Sequence, residues 1–172
     1  MRLIILSVLF CCRVAGVQAQ ESVPQVMDTS AKYVKDPKLP AFNILLTDSA
    51  TMFNTEDIPK GKPTVLLFFS PDCSHCQEKV QMLLKGMDSL KDVRFYLMSG
   101  AHNVTDIRNF ADKYHLQDYK NIMVVGKDIN FFFISFYGTK RFPDVAVYDK
   151  HNKFVARLEQ NFTVKDLYEA IH

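Results

Sequence analysis

No apolar stretch near the start of this chain is long enough to cross a bilayer: residues 3–12 run for about ten residues, whereas a transmembrane helix needs roughly 20. There is no internal repeat and no low-complexity segment. Charge is not in surplus either. The formal net charge is +2, and the 21 Lys and Arg fall to 19, matching the 19 Asp and Glu, if Arg2 and Arg13 leave with an N-terminal leader. That balance gives no support to nucleic-acid binding. Cysteine is scarce, at four residues, and only Cys73 and Cys76 lie beyond residue 12. No second cysteine pair and no close histidine pair accompanies them, so a four-ligand zinc set is not available, and no metal or other cofactor is expected.

What is present begins with the leader. Met1-Arg2, an apolar stretch and the small-residue run Val17-Gln18-Ala19 have the order of a secretory signal peptide, with cleavage expected after Ala19. Arg13 interrupts the apolar stretch and weakens an anchor reading, and Phe10 before Cys11 fits lipoprotein processing poorly. The expected location is across the inner membrane, in the periplasm, with a retained membrane anchor facing the periplasm as the alternative. Removal of residues 1–19 leaves about 153 residues, enough for one full hydrophobic core. Residues 20–40, which carry Pro24, Pro37 and Pro40 and show no sustained period, read as a mobile linker that becomes ordered near Ala41. Residues 41–172 read as one domain.

Within that domain, residues 42–46 predict a strand and residues 51–58 a return strand or loop. Residues 64–70 are apolar at nearly every position, as expected of a strand covered on both faces. Cys73, Cys76, Val80, Leu83, Leu84, Met87 and Leu90 then recur at helical spacing. Further strands are predicted at 93–98 and 122–125, a helix from Val104 to Tyr114, a hairpin around residues 149–153, and a last helix from Val164 to Ile171 capped by Thr163 or Asn161. Phe131-Phe132-Phe133-Ile134 has no readable period. The order predicts an α/β fold with a central mixed sheet flanked by helices and an N-terminal strand hairpin.

Cys73-Ser74-His75-Cys76 sits where the central strand hands over to the helix. A helix N-terminus stabilises a thiolate through its dipole and its free N–H groups, so two cysteines delivered there suit redox chemistry. As a structural staple the pair would contribute little, because a two-residue gap closes almost no loop. Cys73 is expected to be the exposed nucleophile and Cys76 the buried resolving thiol. His75 is expected to stabilise the Cys73 thiolate, the alternative being an exposed histidine without effect, while Asp72 adds negative charge beside it.

From Pro40 to His172 the chain resembles the thioredoxin-like superfamily, and within it the envelope thiol-disulfide oxidoreductases of the TlpA and ResA kind. The resemblance rests on the leading hairpin, Gly61-Lys62 before the central strand, Phe68-Phe69 leading to Cys73 and Cys76, and Phe142-Pro143 ahead of the final hairpin. It implies protein thiols and disulfides as substrates and a redox partner protein. It also implies that Pro143 is a cis-proline facing the cysteines, with Phe142 beside it offering backbone groups for substrate docking. Departures are visible. Asp72 stands where thioredoxins usually have Trp, a residue the chain lacks altogether. Leu67 stands in place of the buried acid of thioredoxin, and Lys79 in place of the glutamate that TlpA-like proteins often carry; Glu78 lies about 100° around the helix. The proton acceptor for Cys76 is therefore unassigned.

Two other function classes compete. A peroxiredoxin-like peroxidase is opposed by Leu66, where that family places proline, with Ser70 alone matching; a non-catalytic binding module would use an aromatic surface. Phe131, Phe132, Phe133, Phe136 and Tyr137 could line a groove near Pro143 or belong to the core. His102, His115, His151 and His172 read as isolated surface residues. Asn103-Val-Thr105 and Asn161-Phe-Thr163 match the glycosylation pattern, which carries meaning only in a eukaryotic secretory host.

Overall fold

The computed structural model describes residues 28–172. The expected leader, with Cys11 and Cys12, lies outside the described residues. In chain order the elements are α1 (Lys32–Lys35), β1 (Asn43–Leu46), β2 (Met52–Asn54), β3 (Thr64–Phe68), α2 (Ser74–Lys85), β4 (Arg94–Ser99), α3 (Val104–Lys113), β5 (Ile122–Asp128), α4 (Phe132–Tyr137), β6 (Asp144–Tyr148), β7 (Phe154–Glu159) and α5 (Val164–Ile171). The strands form one mixed sheet in the order β2-β1-β5-β4-β3-β6-β7. β3, β4 and β5 are parallel neighbours, and β1 and β6 flank them antiparallel.

β3 is buried at all five positions because each face has its own core. Val65 and Leu67, with Phe69 just beyond the strand, pack with Cys76, Val80 and Leu83 of α2, Ile107 and Phe110 of α3 and Leu167 of α5. Leu66 and Phe68 point the other way, to Ile44, Tyr96, Met98, Phe133, Tyr137 and Tyr148. The two-residue alternation of a strand thus divides one apolar run between two cores. Complete burial of each such side chain stabilises the fold by about 1.5–3 kcal/mol.

Local chemistry sets the helix boundaries. Asn103 caps α3 by accepting from the Asp106 N–H, and Thr163 and Asp166 close a reciprocal capping box on α5. The helical period expected to run to Leu90 breaks at Gly86, and Met87–Leu90 forms a 3-10 turn. Gly86 admits a close approach: a Cβ there would lie 2.6 Å from Val164 Cγ2, so Val164 would have to shift to admit one.

Two expectations are corrected, and one segment left unassigned finds its place. Residues 28–40 are not a structureless linker among the described residues. Lys32–Lys35 form a helical turn, and Tyr33 is 8% exposed, with its ring 5.3 Å from that of Tyr137 and 4.9 Å from that of Phe154. One buried aromatic on a single turn leaves no period to read. The aromatic run at 131–134 opens α4, whose Phe133 and Tyr137, four residues apart, enter the core. β5 extends beyond Val125 to Asp128 because β1 pairs with its last three residues.

The far end of the sheet is tied together at the β6–β7 turn. Asp149 Oδ1 accepts from the N–H groups of His151 (2.8 Å) and Lys153 (2.9 Å). Two other segments attach there through three bonds: the Leu39 N–H donates to Asn152 O (3.1 Å), the Gly61 N–H to Lys150 O (2.7 Å), and Asn152 Nδ2 to Ile58 O (2.9 Å).

Candidate functional site

The site forms where β3 ends. Residues 69–72 leave the sheet, and Cys73, with extended backbone (φ −79°, ψ 116°), is the N-cap of α2. Its Sγ accepts from the Cys76 N–H at 3.3 Å, so the sulfur takes the capping place that Ser or Asp usually fills and faces the positive end of the helix. Cys73 is partly exposed and Cys76 fully buried, and both are free thiols. The unequal exposure expected of the pair is present.

Cys76 Sγ accepts from the Ser70 N–H at 3.5 Å. Burial, reinforced by the neighbouring Cys73 sulfur, pushes the Cys76 thiol far above its ordinary range. No acid is seen to take its proton: Glu78, the one acid of α2, is exposed and lies 3.9 Å from His75 Nδ1. Leu67 is in the core, and Lys79 Nζ is turned away, donating to Phe162 O at 2.7 Å.

The second wall comes from the loop before β6. The Phe142–Pro143 peptide is cis, and Phe142 O lies 4.0 Å from Cys73 Sγ. The Phe142 ring packs 5.5 Å from Phe68, which itself stacks on Phe133. Asp144, directly after Pro143, is completely buried and accepts from Arg157 Nε (2.9 Å), Arg157 Nη2 (2.5 Å) and Thr139 Oγ1 (2.5 Å). This buried ion pair anchors the loop facing Cys73. Its trace in the sequence is the charge of Arg157 between the apolar residues Ala156 and Leu158.

His75 and Asp72 occupy the rim. The His75 side chain is more than half exposed, with Nδ1 3.9 Å from Glu78 Oε2. Asp72 Oδ1 accepts from the Ser70 hydroxyl and from His102 Nε2 at 3.2 Å, and these contacts, the Ser70 bond first, hold its carboxyl below the usual range. His102 is therefore neither isolated nor a free surface residue: its side chain is only 23% exposed and lies against the active-site loop. Thirty residues separate it from Asp72, so no local pattern announces the pair.

The aromatic run is split between roles. Phe133 and Tyr137 are core, whereas Phe131 is 44% exposed in the left-handed region (φ 52°). Its ring covers Gly100, where a Cβ would meet Phe131 Cδ1 at 2.9 Å and Phe68 Cζ at 3.1 Å. On the opposite side, Gln77 Nε2 donates to Pro71 O at 2.9 Å, and its Oε1 accepts from the Tyr114 hydroxyl at 3.3 Å. Thus α2 and α3 both hold the loop before Cys73. No group of three or more metal-ligating side chains occurs among the described residues.

No protein-family model matches the chain, and no curated protein matches its sequence. Solved structures do resemble it. A secreted Mycobacterium tuberculosis disulfide oxidoreductase homologous to Escherichia coli DsbE is 19% identical with a TM-score of 0.60, over 75% of this chain and 92% of that one. The exposed lipoprotein thioredoxin of Streptococcus pneumoniae is 24% identical with a TM-score of 0.55, over 74% and 94%. The thioredoxin domain of a Bacteroides vulgatus thiol-disulfide oxidoreductase is 23% identical with a TM-score of 0.59, over 76% and 89%. At these identities what is shared is architecture, and this chain, with its mixed sheet, its strand-to-helix cysteine pair and its Phe142–Pro143 loop, has the thioredoxin-like fold.

Proposed function

We propose that this protein is a thiol-disulfide oxidoreductase that exchanges electrons with protein thiols and disulfides in the cell envelope through Cys73 and Cys76. The observation that carries the reading is the asymmetry of the pair: a partly exposed sulfur caps α2, and three residues on lies a fully buried one. The solved structures of the same fold described as disulfide oxidoreductases support it. The envelope location rests on the leader expected at residues 1–19.

In the reducing direction the Cys73 thiolate attacks a substrate disulfide. One substrate sulfur leaves as a thiolate, and Cys73 holds the other in a mixed disulfide. Cys76 then loses its proton and attacks Cys73 Sγ, closing the Cys73–Cys76 disulfide and expelling the second substrate thiolate. The substrate gains two electrons, the pair loses two, and a redox partner protein resets it; the oxidising direction reverses each step. Phe142 O, beside Cys73, is the group proposed to take part in docking an extended substrate backbone.

The test is the equilibrium of the Cys73/Cys76 couple with glutathione, together with turnover of a protein disulfide. A reversible two-electron couple is expected, to be placed against a reducing reference near about −270 mV and an oxidising one near about −120 mV. Absence of a Cys73–Cys76 disulfide after oxidation, or turnover unchanged by Cys73→Ser, would refute the assignment.

A further inference from the structure

Asp72 places a carboxylate immediately before the proposed nucleophile, where its negative charge opposes formation of a thiolate. It also shares a network with the second sulfur: Asp72 Oδ1 accepts from the Ser70 hydroxyl, and the Ser70 N–H donates to Cys76 Sγ. What fixes the carboxylate from outside this loop is His102, on the turn between β4 and α3, with Nε2 3.2 Å from Asp72 Oδ1.

The surroundings of His102 determine which nitrogen carries the proton. Nδ1 is buried and has no hydrogen-bond partner among the described residues. A proton on Nδ1 would be a buried N–H without an acceptor, whereas a proton on Nε2 meets a carboxylate, so the neutral ring carries it on Nε2 and donates to Asp72. Asp72 itself is exposed at 77% of its side chain, and without His102 only the Ser70 hydroxyl would hold it.

We propose that His102 is a positioning residue for disulfide exchange at Cys73 and Cys76: by donating from Nε2 to Asp72 it ties that carboxylate to the β4–α3 turn and draws its negative charge off the neighbouring thiolate. This inference rests on the oxidoreductase reading above. It assigns a part in that chemistry to a residue thirty positions from the cysteine motif, in a chain where Leu67 and Lys79 leave the pair without its usual acids.

The experiment compares the full-length wild type with His102→Ala, His102→Gln, Asp72→Asn and the Asp72→Asn/His102→Ala double variant. Two quantities are read: the equilibrium constant of the Cys73/Cys76 couple with glutathione, and the pH dependence of Cys73 alkylation. Freed of its donor, the carboxylate disfavours the reduced, thiolate-bearing state, so His102→Ala is expected to make the couple more reducing by about two- to fivefold in equilibrium constant, the range set by screening of an exposed pair. Alkylation should shift to higher pH. Gln carries a donor at the reach of Nε2 and is expected to stay near wild type, while Asp72→Asn should be more oxidising. In the Asp72→Asn background, His102→Ala should have no further effect, because its route to the sulfurs is gone. A shift of the same size in that background would mean that His102 only packs, and no shift in either background would mean that it does nothing to the couple; both overturn the proposal. A wild type that forms no Cys73–Cys76 disulfide defeats the oxidoreductase reading itself, and so is distinguishable from failure of this inference.

Discussion

Replacing Asp144 by Asn is expected to cost about 3 kcal/mol of folding stability. The carboxylate is fully buried and holds the Arg157 guanidinium through two hydrogen bonds. Removing one partner of a buried pair costs about 3–5 kcal/mol, because the charge left behind has neither water nor a counter-ion. Arg157 keeps 17% of its side-chain exposure, and Glu159 Oε1 lies 3.8 Å away, which places the loss at the lower end of that range. For a domain of this size the melting point should then fall by about 6–12 °C. Urea denaturation followed by circular dichroism, on fully reduced protein, measures it. The control is Asp144→Val with Arg157→Met, which removes both charges and should come within about 1 kcal/mol of wild type. A cost for Asp144→Asn below about 1 kcal/mol, or a double variant as unstable as the single one, would refute the reasoning. Because Asp144 anchors the loop that faces Cys73, the single variant should also react more slowly with a protein disulfide than with a small thiol reagent.

Other outcomes follow from the cysteine geometry. Cys76→Ser should accumulate a mixed disulfide between Cys73 and substrate, visible on non-reducing gels, and Cys73→Ser should trap nothing; the opposite pattern would exchange the two roles. In native reduced protein iodoacetamide at pH 8 should modify Cys73, and Cys76 only after unfolding, since Cys76 is buried and its thiol pushed upward; peptide mapping reads the two sites separately. The same shift makes stability depend on pH. With its folded-state pKa raised, Cys76 contributes nothing adverse below the ordinary thiol range near about 8.5, but above it the unfolded chain releases a proton that the folded state retains, so reduced protein should lose stability as pH rises. Cys76→Ser should lack that slope between about pH 8.5 and 10. If His75 stabilises the Cys73 thiolate from its exposed place on α2, His75→Pro makes the couple more reducing, and an unchanged potential removes His75 from the tuning of the pair.

The sheet and the cysteine helix were legible because their signals are local. An uninterrupted apolar run marks β3, a 3.6-residue period marks α2, and Asp149 with its neighbours marks the last hairpin. α4 was not legible: three consecutive phenylalanines have no period, although one of them faces solvent and another the core. α1 is one turn long and reveals itself only through the contacts of Tyr33. At the site, the two cysteines follow from spacing, but the Asp72–His102 and Asp144–Arg157 pairs join residues 30 and 13 positions apart, and only the folded chain brings them together.

The tip of a β-hairpin is ordinarily a safe place to insert a purification tag or a fluorophore, since little depends on it. The tip at residues 149–153 is different. Leu39, Ile58 and Gly61 all hydrogen-bond to it, so an insertion there would loosen the segment leading into β1, the approach to β3 and the hairpin at once. It nevertheless lies at the end of the sheet remote from the cysteines: Tyr148 pairs with Thr64, while Asp144 pairs with Phe68 at the other end, four residues or about 13 Å along the strand. A reporter on an exposed side chain of this tip, such as Lys150, would leave the backbone bonds in place and stand clear of Cys73, which makes it a usable attachment point for following substrate capture without touching the chemistry.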